Sequence, residues 1–275
     1  MGLRINTNLA SLGAQRSIDM NTRASEHAMK QLSSGNKYVN DGEGAADYSI
    51  GESLRAQQKG MQAAANNAAT ATNFVQVAEG GLSEQNNILI RMRELSVQSA
   101  SDTYGDDERK MMNYEFQQLS SELDRIAQAT TYGKNKLLSG DSKSLQFQVG
   151  PNNTKNDTIK FNYNTNTTAS NLNVDSLDIT DISGAQDSIA KVDDALTEMG
   201  KQRANLGALQ SRLSSTINYT TDQAMSLEDA RSKIQDTDVA KSYSDMVKAN
   251  ALQQYQISVL ADANRQPGNV LRLIG

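Results

Sequence analysis

The sequence has no cysteine, no tryptophan, one histidine and two prolines. Without thiols there is neither a disulfide nor a thiolate metal centre, and the redox compartment is left open. The lone histidine, His27, rules out an HExxH zinc site. It sits among polar neighbours and is expected to face solvent. No catalytic residue, metal or cofactor is expected. Pro151 and Pro267 leave residues 1–150 without a helix breaker. Aromatic residues make up only 5% and the apolar fraction is 37%, too little bulky filling for an ordinary compact globule. The net charge of −5 argues against nucleic acid, which needs a basic face. No apolar run reaches the roughly 18 residues needed to span a bilayer, so membrane insertion is not expected. A secretory signal, with its basic segment and apolar core, is not seen at the amino terminus. On composition alone the chain reads as cytoplasmic.

What remains is rich in Ala, Ser, Asn and Gln, which suits long helices with closely approaching axes. The first forty residues read as an amphipathic segment carrying Leu3, Ile5, Leu9, Leu12, Ile18, Met29 and Leu32, and "LSSG" at 32–35 signals a stop. A three-four alternation then runs Ile50, Leu54, Gln57, Met61, Ala64, Ala68, Ala71, Val75, Ala78, Leu82, Gln85, Leu89, Met92. Held from 45 to 99 it gives a helix about 80 Å long, with Gly60, Gly80 and Gly81 each costing about 1 kcal/mol against Ala. A shorter helix follows "SDTYGDD", with Met112, Phe116, Leu119, Leu123 and Ile126 as its stripe.

The middle changes character. "LQFQV" (145–149) and "IKFNY" (159–163) alternate apolar with polar and read as a β-hairpin. The Asn/Thr-rich tract "NYNTNTTASNLN" reads as an exposed loop, and the Ser and Thr hydroxyls of 139–185 as surface groups open to glycosylation. Helix resumes near Ser183, with "SGAQ" as a capping box. Its stripe is Ile189, Val192, Leu196, Met199, Arg203, Leu206, Gln210, Leu213, Ile217, Thr220, Ala224, Leu227. A final helix over 239–263 carries Tyr243, Met246, Val247, Leu252, Ile257, Val259 and Leu260, and Pro267 is expected to end it. The fold class expected is mainly α: a long antiparallel helical bundle or coiled-coil rod with a small β-hairpin region at about 133–182.

Four large apolar side chains, Val270, Leu271, Leu273 and Ile274, crowd the last six positions. Chain ends are usually polar and poorly ordered, so these read as an interface, together with Leu3, Ile5, Leu9, Leu12, Val259 and Leu260. The acidic stretch "DGEGAADYSIGE" (41–52) is not a calcium loop, because Ala46 replaces the sharp-turn glycine and Ala45 a ligand.

Several long motifs then occur in order: "RINTNLASL" (4–12), "KQLSSG" (30–35), "QVAEGGL" (76–82), "RMRELSVQSASDT" (91–103), "RANLGALQSRL" (203–213), "SKIQDTDVAKSYSDMVK" (232–248) and "SVLADANRQPGNVLRLIG" (258–275). By these the chain closely resembles bacterial flagellin, in a minimal form without outer inserted domains. "NKYVNDGEGAAD" departs from the family's usual continuation after "LSSG". The resemblance implies a structural subunit that self-assembles into the helical flagellar filament of swimming bacteria. It implies a terminal domain, 1–43 with 233–275, lining the filament core, and a rod domain, 44–232. It implies secretion through the flagellar channel without a cleaved signal. The partners it implies are further copies of the chain, the export apparatus, an export chaperone for the carboxy-terminal segment, and filament-cap and hook-junction proteins. Two rivals are a hook–filament junction protein and a soluble coiled-coil signalling or chaperone rod. By resemblance Arg91, Leu95 and Glu115 match innate-receptor contact positions, although Ile90 stands where the family commonly has Gln. The plainer reading puts Arg91, Arg93 and Glu94 in inter-subunit ion pairs.

Overall fold

The computed structural model describes residues 8–40, 42–140, 143–163 and 165–274. Among them are five long helices: α1 (Leu9–Ser34), α2 (Ala45–Ser99), α3 (Asp106–Ala129), α4 (Ile182–Gln235) and α5 (Val239–Ile274). Between α3 and α4 lie two antiparallel hairpins, β1 (Thr131–Tyr132) with β2 (Asn135–Lys136) and β3 (Lys143–Gln148) with β4 (Thr158–Tyr163). The chain divides into two compact units, one of residues 57–225 and one of residues 1–56 with 226–275.

The unit of 57–225 holds the apolar core. The predicted α2 stripe is buried from Ala64 through Met92, Gln85 included, and packs with Phe116 and Leu123 of α3 and Val192, Met199, Leu206 and Leu213 of α4. Small side chains such as Ala68, Ala71 and Ala78 let the helix axes approach. α3 runs antiparallel to α2, with Gln85 bonding near Leu123 and Arg91 pairing with Glu115. Asp106, Asp107 and Glu108 occupy the first turn of α3, where the positive end of the helix dipole favours them.

The predicted hairpin forms, and its register sets Leu145 opposite Phe161 and Phe147 opposite Ile159. Phe74 of α2 holds both hairpins, edge-on to Tyr132 at 5.7 Å and to Phe147 at 6.2 Å. Gly81 explains one unfavourable residue in α2. A Cβ there would come within 2.8 Å of Leu138 Cδ1 and Thr130 Oγ1, so the glycine lets the β1–β2 turn seat on the helix.

Three expectations need correction here. From Thr165 onward the Asn/Thr tract is largely packed, with only Ser170, Asn171 and Asn173 exposed before Val174. Thr165, Thr167 and Ala169 are buried in alternation, followed by Leu172 and Val174. The Thr167 amide donates to the Leu138 carbonyl at 2.9 Å, and the Ala169 amide to Asp124 Oδ1 at 2.6 Å. Burial therefore removes the Thr165 and Thr167 hydroxyls from the surface. The cap of α4 is Asp181, not Ser183: its Oδ1 accepts from the Gly184 amide at 2.6 Å, and the helix begins at Ile182. Pro267 does not end α5, which continues to Ile274.

In the other unit α1 and α5 pair antiparallel. Bonds fall at Asn21 with Gln256, Ser25 with Asn250 and Gln31 with Ser242, one number rising as the other falls. Gly35 stops α1 as "LSSG" predicted, taking left-handed φ 71° and donating to the Gln31 carbonyl at 2.9 Å. The breaks before α2 and between α4 and α5 are joined: Asn36 and Asp236 form an antiparallel bridge, and the Lys37 amide donates to the Gln235 carbonyl at 2.7 Å.

Candidate assembly surface

The seam between α1 and α5 inverts the usual arrangement. Its buried positions are small: Ala14, Ser25 and Ala28 on α1, and Ser242, Ala249 and Ala263 on α5. Most of the large apolar side chains lie exposed outside it, while Ile18, Leu32 and Met246 are half-buried. Leu9 is 62% and Leu12 59% exposed, and Met20, Met29, Val239, Tyr243, Val247, Leu252, Tyr255, Ile257 and Val259 are exposed as well. Leu260 is half-buried. Alanines and serines bury little area, and at about 25 cal/mol per Å² such a seam contributes little. The polar bonds across it set register. Ser25 Oγ donates to Asn250 Oδ1 at 2.7 Å, and Asn21 Nδ2 to Gln256 Oε1 at 2.7 Å.

Of the ten assembly positions expected from sequence, Leu9, Leu12 and Val259 lie on this exposed face. Leu3 and Ile5 lie outside the described residues, as do the side chains of Val270, Leu271, Leu273 and Ile274. Tyr243 and Tyr255, at 58% and 67% exposure, were not chosen from the sequence for this surface.

The three receptor-type positions are not one exposed patch. Arg91 bonds Glu94 Oε2 at 3.0 Å and Glu115 Oε1 at 2.9 Å, whereas Leu95 is buried at 1% exposure. Hydrogen bonds to Glu94, then Glu115, hold the Arg91 guanidinium above its ordinary pKa. Arg93 Nε meets Asp193 Oδ1 of α4 at 2.6 Å. That bond lowers the Asp193 carboxyl and raises Arg93. The guanidinium groups expected to pair between subunits thus already have partners within one chain. His27 is likewise not simply solvated: its Nε2 lies 2.7 Å from Glu43 Oε2, and Glu43 is held below its ordinary pKa by that bond and then by Asn40.

Two family models match the chain. The bacterial flagellin N-terminal helical region covers residues 5–143, and the bacterial flagellin C-terminal helical region covers residues 189–274. The chain belongs to the bacterial flagellin family. Family members are structural subunits of the flagellar filament, an extracellular assembly. A flagellin of Halalkalibacterium halodurans is 36% identical over 98% of this chain and 99% of its own. A flagellar filament 30.7 kDa core protein of Treponema maltophilum is 34% identical over 98% and 99%. These names favour a filament flagellin over the junction protein or the soluble rod. The crystal structure of Bacillus cereus flagellin aligns with a TM-score of 0.51 at 26% identity, covering 60% of this chain and 94% of its own.

Proposed function

We propose that this chain builds the flagellar filament by burying the outward faces of α1 and α5 against neighbouring copies. The observation that carries this reading is the inverted seam, small residues inside and leucines, valines and tyrosines outside. Two helices joined by Ala and Ser bury too little apolar area to order themselves, so neighbours must supply the rest. Folding of the ends and binding then become one event. Contacts that repeat head to tail without closing a ring give an open helical polymer.

In this reading the terminal segments, 1–43 and 233–275, line the filament core, and 44–232 form the rod domain. Leu3, Ile5, Leu9, Leu12, Val259, Leu260, Val270, Leu271, Leu273 and Ile274 supply the contacts. The chain leaves the cell unfolded through the flagellar channel, with its carboxy-terminal segment held by an export chaperone, and adds beneath a filament cap. The role is structural and needs no catalytic group.

Seeding purified chain with filament fragments tests this. Loss of residues 269–275, or Leu9→Ser with Leu12→Ser, should abolish elongation as seen by negative-stain microscopy. The denaturation midpoint of the unit 57–225 should stay at the parent value. Normal filaments from either variant would overturn the interface assignment.

A further inference from the structure

α5 runs through Pro267 to Ile274. In an α-helix the amide of residue 267 donates to the carbonyl of residue 263. Proline has no amide hydrogen, so the Ala263 carbonyl loses its helical donor. Ala263 lies in the seam with only 6% exposure, where water is a poor substitute. A side chain from the other end of the sequence fills the gap. Asn8 Nδ2 donates to the Ala263 carbonyl at 2.8 Å, across a separation of 255 residues. The same side chain is the N-cap of α1, its Oδ1 accepting from the Ser11 amide at 3.1 Å.

We propose that Asn8 is the surrogate donor for the proline break, and that the helical tail of α5 beyond Ala263 depends on α1 being docked. One amide then performs two tasks. Its oxygen starts the first helix and its nitrogen carries the last helix past its proline. Asn suits this because it presents an acceptor and donors on one planar group. Asp or Ser would cap α1 as well. Asp brings no donor to Ala263.

Amide hydrogen exchange over residues 264–274 tests the assignment in the full chain, as parent, Asn8→Asp, Pro267→Ala and the double variant. Asn8→Asp keeps the acceptor for Ser11 and removes the donor, while Pro267→Ala returns a backbone N–H to Ala263. The comparison is made in sedimented polymer and so rests on the assembly reading above. Asn8→Asp should speed exchange in the tail about tenfold, with the first turn of α1 unchanged. In the Pro267→Ala background the same substitution should leave the tail at the parent rate. Equal acceleration in both backgrounds, or none in either, overturns the proposal. An Asn8→Asp chain that fails to sediment supports it if Pro267→Ala restores sedimentation and overturns it otherwise. Sedimentation also separates the two ideas. A parent chain that stays soluble sinks the assembly reading, and the same exchange comparison on that soluble chain then decides the role of Asn8.

Discussion

A buried guanidinium closes the turn between α2 and α3. Arg109 is 6% exposed, with Nε donating to the Ser99 carbonyl at 2.9 Å and Nη2 to the Ser101 carbonyl at 2.8 Å. Ser99 is the last residue of α2, so its carbonyl has no intrahelical donor. A cation there also meets the negative end of the α2 dipole. Arg109→Met keeps much of the bulk and strands both carbonyls, and should lower stability by about 2–4 kcal/mol. The midpoint of chemical denaturation reads this directly, and an unchanged midpoint would show that water satisfies the turn. Nothing in "DDERK" distinguishes this arginine from a solvated one, because its partners belong to the neighbouring helix. Gln85 differs. The three-four period placed it in the buried stripe as the wrong residue type. Its purpose became visible only with the Leu123 and Thr167 carbonyls, at 3.0 and 3.2 Å and far away in sequence.

Adjacent glycines in α2 separate helix propensity from packing. Nothing lies within 4 Å of a Cβ built on Gly80, whereas one on Gly81 meets Leu138 and Thr130. Gly80→Ala should therefore raise stability by up to about 1 kcal/mol, the propensity difference alone. Gly81→Ala gains the same propensity but displaces the β1–β2 turn, and should be neutral or destabilising. Thermal unfolding of the two single variants checks the contrast, and equal stabilisation would mean the turn yields freely. Helices α2 and α4 were legible because their buried residues follow a period read over many turns. The β3–β4 hairpin was legible because Leu145, Phe147, Ile159 and Phe161 alternate with polar residues. The packed tract 165–174 was not, since its inward residues begin with Thr, Thr and Ala and carry no hydropathy signal. The direction α1 and α5 face was hidden for the same reason. A hydrophobic stripe reads as a core, and only the contacts reveal that Ala and Ser make the seam. The tail beyond Pro267 was hidden because the donor that permits it sits at residue 8.

For the molecule as a whole, the two units should differ sharply in protection. The unit 57–225 encloses Phe116, Leu82, Leu89, Met92, Met199 and Leu206, each less than 2% exposed. The α1–α5 pair encloses mostly alanine and serine. In dilute, unpolymerised chain, amides of 9–34 and 239–263 should exchange within seconds, while those of the α2 core should be protected by orders of magnitude. Strong protection of both ends in that state would show that the seam suffices by itself, and the need for neighbouring copies would fall.

The pairing of first and last segments also sets a timetable for the newborn chain. Asn8, Asn21, Ser25 and Gln31 all bond to residues between 242 and 263. A ribosome makes one set at the start and the other at the finish. Everything the unit 57–225 requires exists while about 50 residues are still untranslated. The amino-terminal helix must wait, uncommitted, until the final codons are read.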